Sequence, residues 1–128
     1  MIEGRGVIYI CFIEQRERSF NLERAMEYVV DMQGFKKPGN DYILKELAVL
    51  ALNNDNVEPQ VFLFKPLFPW QKLTGEYKRQ NLWLELYYHG LQWNSGSIEY
   101  TEIDNVLRET LQNAEKIFVI GDLKKKLA

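Results

Sequence analysis

Apolar residues along this chain come in short β-branched and aromatic runs divided by polar stretches, and switch to a 3,4 spacing in the second half. The run at 7–13 (Val-Ile-Tyr-Ile-Cys-Phe-Ile) reads as a short strand, stopped by the charged stretch at 14–18. From Tyr28 the pattern is regular. A strand at 28–32, a polar turn at 36–41 and a longer strand at 42–52 make a hairpin. Asn53-Asn-Asp-Asn56 tolerates turn geometry, and the third strand at 61–64 is closed by Pro66 and Pro69, which cannot continue a ladder. The three strands are expected to form an antiparallel meander.

Beyond Pro69, which suits a helix start, Leu73, Tyr77, Leu84 and Tyr88 fall on one helical face, with Lys72, Glu76, Lys78, Arg79 and Glu85 turned to solvent. His89-Gly90 breaks this helix and the loop runs on through 94–97. Ile103, Val106, Leu107, Leu111 and Ala114 then resume the helical spacing, with Thr101 and Asp104 as a capping pair. The run at 116–120 (Lys-Ile-Phe-Val-Ile) lacks alternation, as expected of a central strand covered on both faces. Gly121 ends it, and a polar helical tail is expected at 122–128. Meander, helical crossover and buried parallel strand make an α/β layer with helices over the sheet. The organisation is thus a leader at 1–25, holding a short extra strand and room for a helix, and one domain at 26–128.

Composition narrows the classes. With 128 residues and 46% hydrophobic content, the chain buries a core without staples. The net charge of -2 excludes a broad electrostatic footprint for duplex nucleic acid, so any such contact is local. Cys11 is the only cysteine. That rules out an intramolecular disulfide and a cysteine zinc cluster and fits an intracellular location, cytoplasmic or nuclear. The apolar run at 7–13 is far below the roughly 20 residues of a bilayer span and lacks a small-residue cleavage site, so no membrane association is expected. Phosphate-loop, dinucleotide-binding, nucleophile-elbow and zinc-protease motifs do not occur.

Several residues carry both a chemical and a plain reading. His89 with Trp93 and Asn94 suggests a polar pocket around the one side chain that titrates near neutrality, against a cap or loop hydrogen bond. Trp70, Tyr77, Trp83, Tyr87, Tyr88 and Trp93 beside Lys72, Lys78 and Arg79 suggest stacking on single-stranded bases, against core packing, which the helical spacing favours. Lys124-Lys-Lys126 reads as phosphate contact or a solvated tail, and Cys11 as a small buried hydrophobe.

The element order, with Val30-Asp-Met-Gln-Gly-Phe35, Lys45-Glu-Leu-Ala48, Phe64-Lys-Pro-Leu-Phe-Pro69, His89-Gly-Leu-Gln-Trp93 and Phe118-Val-Ile-Gly121, resembles a family of uncharacterised, mainly invertebrate ribonuclease-H-like proteins. Those are distantly similar to DEDD-type 3′–5′ exonucleases, and the resemblance covers 26–128. It implies a ribonuclease-H-like fold, incomplete at the C-terminus. It places Asp31 at the exonucleases' first aspartate, at the end of the first strand, Gln33 where they carry glutamate, and Asp122 near their second aspartate, without reproducing its usual spacing. Two-metal hydrolysis needs several carboxylates around two divalent ions, Mg²⁺ or Mn²⁺, and a neutral amide at 33 removes one charge. The resemblance therefore implies a degenerate domain that binds or scaffolds without catalysis, with Asp31 and Asp122 as a remnant metal site. Single-stranded nucleic acid, or a protein pairing at the sheet edge that a missing last strand leaves open, would be the partner. Two alternatives stand beside it: an active metal-dependent 3′–5′ exonuclease, and a protein-interaction module that never meets nucleic acid.

Overall fold

The structure, a computed structural model, describes residues 8–11, 25–39 and 41–120. Five strands, β1 (Ile8–Cys11), β2 (Met26–Lys37), β3 (Asp41–Ala51), β4 (Gln60–Leu63) and β5 (Ala114–Ile120), stand in the order β1-β5-β2-β3-β4. Two helices, α1 (Gly75–Tyr87) and α2 (Ile103–Thr110), and two short 3-10 turns, Trp70–Lys72 and Tyr100–Glu102, lie between β4 and β5. The chain is mixed α/β, with the expected antiparallel meander and β5 parallel to β2. The leader strand has a definite place: β1 pairs antiparallel with β5, from Ile8↔Ile120 to Cys11↔Ile117, so the flank of β5 expected to be an open edge is paired. The leader helix, the tail helix, Asp122 and Lys124-Lys-Lys126 lie outside the described residues.

The chain divides into two compact units, residues 1–32, 48–61 and 104–128, and residues 33–47 and 62–103. In the first, period-2 alternation buries Tyr28, Val30 and Met32 of β2 and Val49 and Ala51 of β3. Leu111 and four residues of β5, Ala114, Ile117, Val119 and Ile120, are buried too. Parallel pairing runs from Met26↔Ala114 to Val30↔Val119, with a register shift after Met26. Asn113 sits at φ 55, the left-handed conformation that asparagine tolerates, and turns the chain from α2 into β5. Its carbonyl accepts from Met26 N–H at 2.9 Å, and the neighbouring Gln112 carbonyl from the Tyr28 hydroxyl at 2.9 Å. At the same end of β2, just past β3, Asn53 plays a comparable part: its Oδ1 accepts from Glu27 N–H and its Nδ2 donates to the Ala25 carbonyl.

The second unit has an aromatic core. Phe35, Ile43, Leu73, Leu84 and Trp93 are buried together, with Phe68, Trp70, Tyr77 and Tyr100 packed around them. Gly34 allows the hairpin to close here, since a Cβ at that position would lie 2.0 Å from the Ile43 carbonyl oxygen. Gly96 does the same for the loop before α2, which pairs onto the end of β4 through Phe64↔Ile98. At φ 117 it brings its Cα against the Phe64 carbonyl, where a Cβ would stand at 2.4 Å.

Several expectations are corrected. β2 runs to Lys37, so Asp31 lies in mid-strand and not at a strand end; Gly34 lets the ladder continue past it. The helix expected right after Pro69 is a 3-10 turn followed, beyond Leu73, by α1. Tyr88, assigned to its core face, is 55% exposed because the helical path ends at Tyr87. Thr101 is no cap, since a 3-10 turn already occupies Tyr100–Glu102 ahead of α2.

Candidate functional site

Past the pairing with β5, the backbone of β2 is taken up by side chains. Gly34 and Lys36, two residues apart, direct their amides and carbonyls to the same side of the strand. The Asn81 carboxamide, fully buried on α1, accepts from Lys36 N–H at 2.8 Å and donates to the Lys36 carbonyl at 2.8 Å. The His89 ring supplies the next contact, with Nε2 2.8 Å from the Gly34 carbonyl and Nδ1 accepting from Leu91 N–H at 3.0 Å. An amide facing Nδ1 and a carbonyl facing Nε2 fix the neutral tautomer with the proton on Nε2. Burial lowers the His89 pKa, partly offset by its bond to Gly34 and by the Glu85 carboxylate. The imidazole is thus a structural clamp with both nitrogens engaged, and its edge packs on Phe35 with ring centroids 4.9 Å apart.

Trp93, the second member of the suggested pocket, is core: Nε1 donates to the Phe68 carbonyl at 3.1 Å, and the indole contacts Phe35, Phe68 and Trp70. Asn94 beside it is exposed. Lys45 of β3, only 1% exposed, donates from Nζ to the Trp93 carbonyl at 2.7 Å and to the Ser95 carbonyl. Desolvation pulls its pKa down to about 8. Two acceptors match the two protons of a neutral amine, so the site holds the 93–95 loop in either charge state.

The carboxylate positions make a sparse donor set. Asp31 is half-buried on β2 and makes interactions within the fold. Gln33, also half-buried, brings a neutral amide. Among the described residues there is no group of three or more His, Cys, Asp or Glu side chains arranged to hold a metal ion. The described donors do not fit a two-metal centre, which requires several converging carboxylates.

What remains is the outer side of α1. Its residues 76–87 contain neither glycine nor proline, and it begins after an extended Thr74. At about 100° per residue, Asn81 and Leu84 mark the buried face, while Glu76, Arg79, Leu82, Trp83, Leu86 and Tyr87 form the opposite stripe. Leu82 is 46% exposed, Trp83 54%, Leu86 60% and Tyr87 73%. The Trp83 and Tyr87 rings, one turn apart, have centroids 6.1 Å from each other. The helix therefore carries apolar residues on its outward face as well as its inward one, unlike a surface helix, whose outer face is polar. Of the six aromatic residues weighed for stacking, Trp70, Tyr77 and Trp93 belong to the core, and Trp83, Tyr87 and Tyr88 are exposed. Of the three cations, only Arg79 lies on the outward stripe; Lys78 is a flank residue, half-buried, and Lys72 precedes the helix. Leu82 and Leu86 are the residues that aromatic counting missed. The signal was present as a second apolar set at 82, 83, 86 and 87, out of phase with Leu84.

Among the described residues no helix is long and apolar enough to cross a membrane. Compared with protein-family models, with curated proteins and with solved structures, the chain matches none of them.

Proposed function

We propose that this domain is a degenerate ribonuclease-H-like module that binds a macromolecular partner without hydrolysing it, and that α1 is the element it binds with. The observation that carries the reading is the outward stripe of Leu82, Trp83, Leu86 and Tyr87, set opposite the core-facing side of its own helix. Contiguous apolar surface of this kind marks interaction sites, and tryptophan and tyrosine dominate binding energy where they are desolvated. The order of meander, crossover and parallel strand supports the fold assignment. Gln33 in place of a carboxylate supports the loss of hydrolysis.

The partner this face suits best is a protein. Two leucines have no π-face on which a base could stack, and one arginine on the stripe gives little hold on a phosphate backbone.

A thermal-shift titration with Mg²⁺ and Mn²⁺, on this chain and on Asp31→Ala, with degradation of single-stranded RNA and DNA followed in the same buffers, tests the reading. The expected result is the same small response in both proteins and no cleavage. Stabilisation and cleavage that vanish with Asp31→Ala would replace it with the metal-dependent exonuclease. Salt-sensitive oligonucleotide binding without cleavage would replace the protein partner with nucleic acid.

A further inference from the structure

The identity of the partner rests on that reading of α1. We infer that a second copy of this chain covers the face, with the two α1 helices packed antiparallel across a two-fold axis beside Trp83.

Three features of the stripe point to this occupant. The first is area. Leu82, Trp83, Leu86 and Tyr87 together expose about 500 Å², and exposed Arg79 on the same stripe extends the patch towards the roughly 800 Å² per partner of a standard stable interface. The second is spacing. Positions 79, 82/83 and 86 repeat at three and four residues, the period that lets two helices interdigitate at a shallow crossing angle.

The third is self-complementarity, which a two-fold interface requires because each contact occurs twice. Arg79 lies four residues before Trp83 and Tyr87 four residues after it, each about 6 Å along the axis. Antiparallel pairing about Trp83 brings Arg79 of each copy against Tyr87 of the other, a cation on an aromatic face in two symmetric places. Leu86, about 60° from Trp83 around the helix, packs along one side of this seam. The net charge of -2 puts little electrostatic repulsion between copies.

Light scattering coupled to size exclusion, with sedimentation equilibrium, over roughly 1 to 200 µM chain reads the association directly. The expected result is a reversible dimer that persists in high salt, as apolar burial does. Trp83→Ser and Leu86→Glu should each raise its dissociation constant at least thirtyfold, and Arg79→Met about fivefold. The altered side chains point outward, so the circular dichroism of each variant should match the parent, and so should its melting at chain concentrations low enough to leave the parent monomeric. A monomer across the whole range, or a dimer that both Trp83→Ser and Leu86→Glu leave intact, overturns the inference. Its failure is distinct from that of the binding reading: metal-stimulated cleavage refutes the latter, whereas a monomer that does not cleave refutes only the dimer.

Discussion

The Asn81 side chain holds both backbone groups of Lys36, accepting from its N–H and donating to its carbonyl, each at 2.8 Å. A carboxamide and a peptide group carry the same donor and acceptor, so Asn81 stands in for a neighbouring strand at this point on β2. Because the amide of Lys36 can only donate, the contact also fixes which way the carboxamide faces.

Asn81→Leu keeps the branched shape, at a larger volume, and removes the partners of both groups. Two backbone groups would lose their bonds in a buried setting, and a loss of about 2–4 kcal/mol of stability is expected, measured as a lower urea midpoint at unchanged slope. A midpoint equal to the parent's would show that water replaces the side chain.

Gly34 and Gly96 are expected to reject alanine for steric reasons. The added Cβ would meet the Ile43 oxygen at 2.0 Å in one case and the Phe64 oxygen at 2.4 Å in the other, both rigid backbone atoms. Each substitution should cost more than about 2 kcal/mol. Gly90→Ala is the informative control: nothing lies within 4 Å of its Cβ and only its φ of 72 is strained, so about 1 kcal/mol is expected.

His89 makes stability depend on pH. Its folded pKa lies below the unfolded value of 6.5, so the unfolded chain binds the proton more readily. The contribution is complete above 6.5 and is lost as pH falls through that value towards the folded pKa. Melting temperatures between pH 5 and 8, flattened in His89→Gln relative to the parent, would confirm this, and identical profiles would refute it.

Lys45 acts at the alkaline end with the same sign. Its folded pKa of about 8 lies below the ordinary 10.5, so stability should rise with pH above about 8 as the buried amine sheds its charge. Tyr28 and Tyr100, whose pKa values burial raises, oppose this only near and above pH 10, so the window is about 7.5 to 9.5. Lys45→Met should lack the rise, measured by urea unfolding at each pH.

The strands were legible in the sequence because their determinants are local. Two-residue alternation at Tyr28, Val30 and Met32, turn residues at 53–56 and the apolar run at 116–120 each encode an element without reference to the rest of the chain. Helical spacing likewise marked Leu73, Tyr77 and Leu84 as inward. Spacing does not say which of two apolar stripes on a helix is the buried one. On α1 that was settled by Asn81, whose partner Lys36 lies 45 residues away, and by the break after Tyr87 that turned Tyr88 outward. For His89 a cap or loop hydrogen bond was the reading to expect, but its partner, Gly34, stands 55 residues away in the chain and is brought within 2.8 Å only by the fold. A lysine at 45 reads as surface from composition alone, and only the Trp93 and Ser95 carbonyls account for its burial. The sequence by itself determined the strands and the apolar residues available. The tertiary structure decided which stayed in water, because burial depends on contacts between residues far apart in the chain.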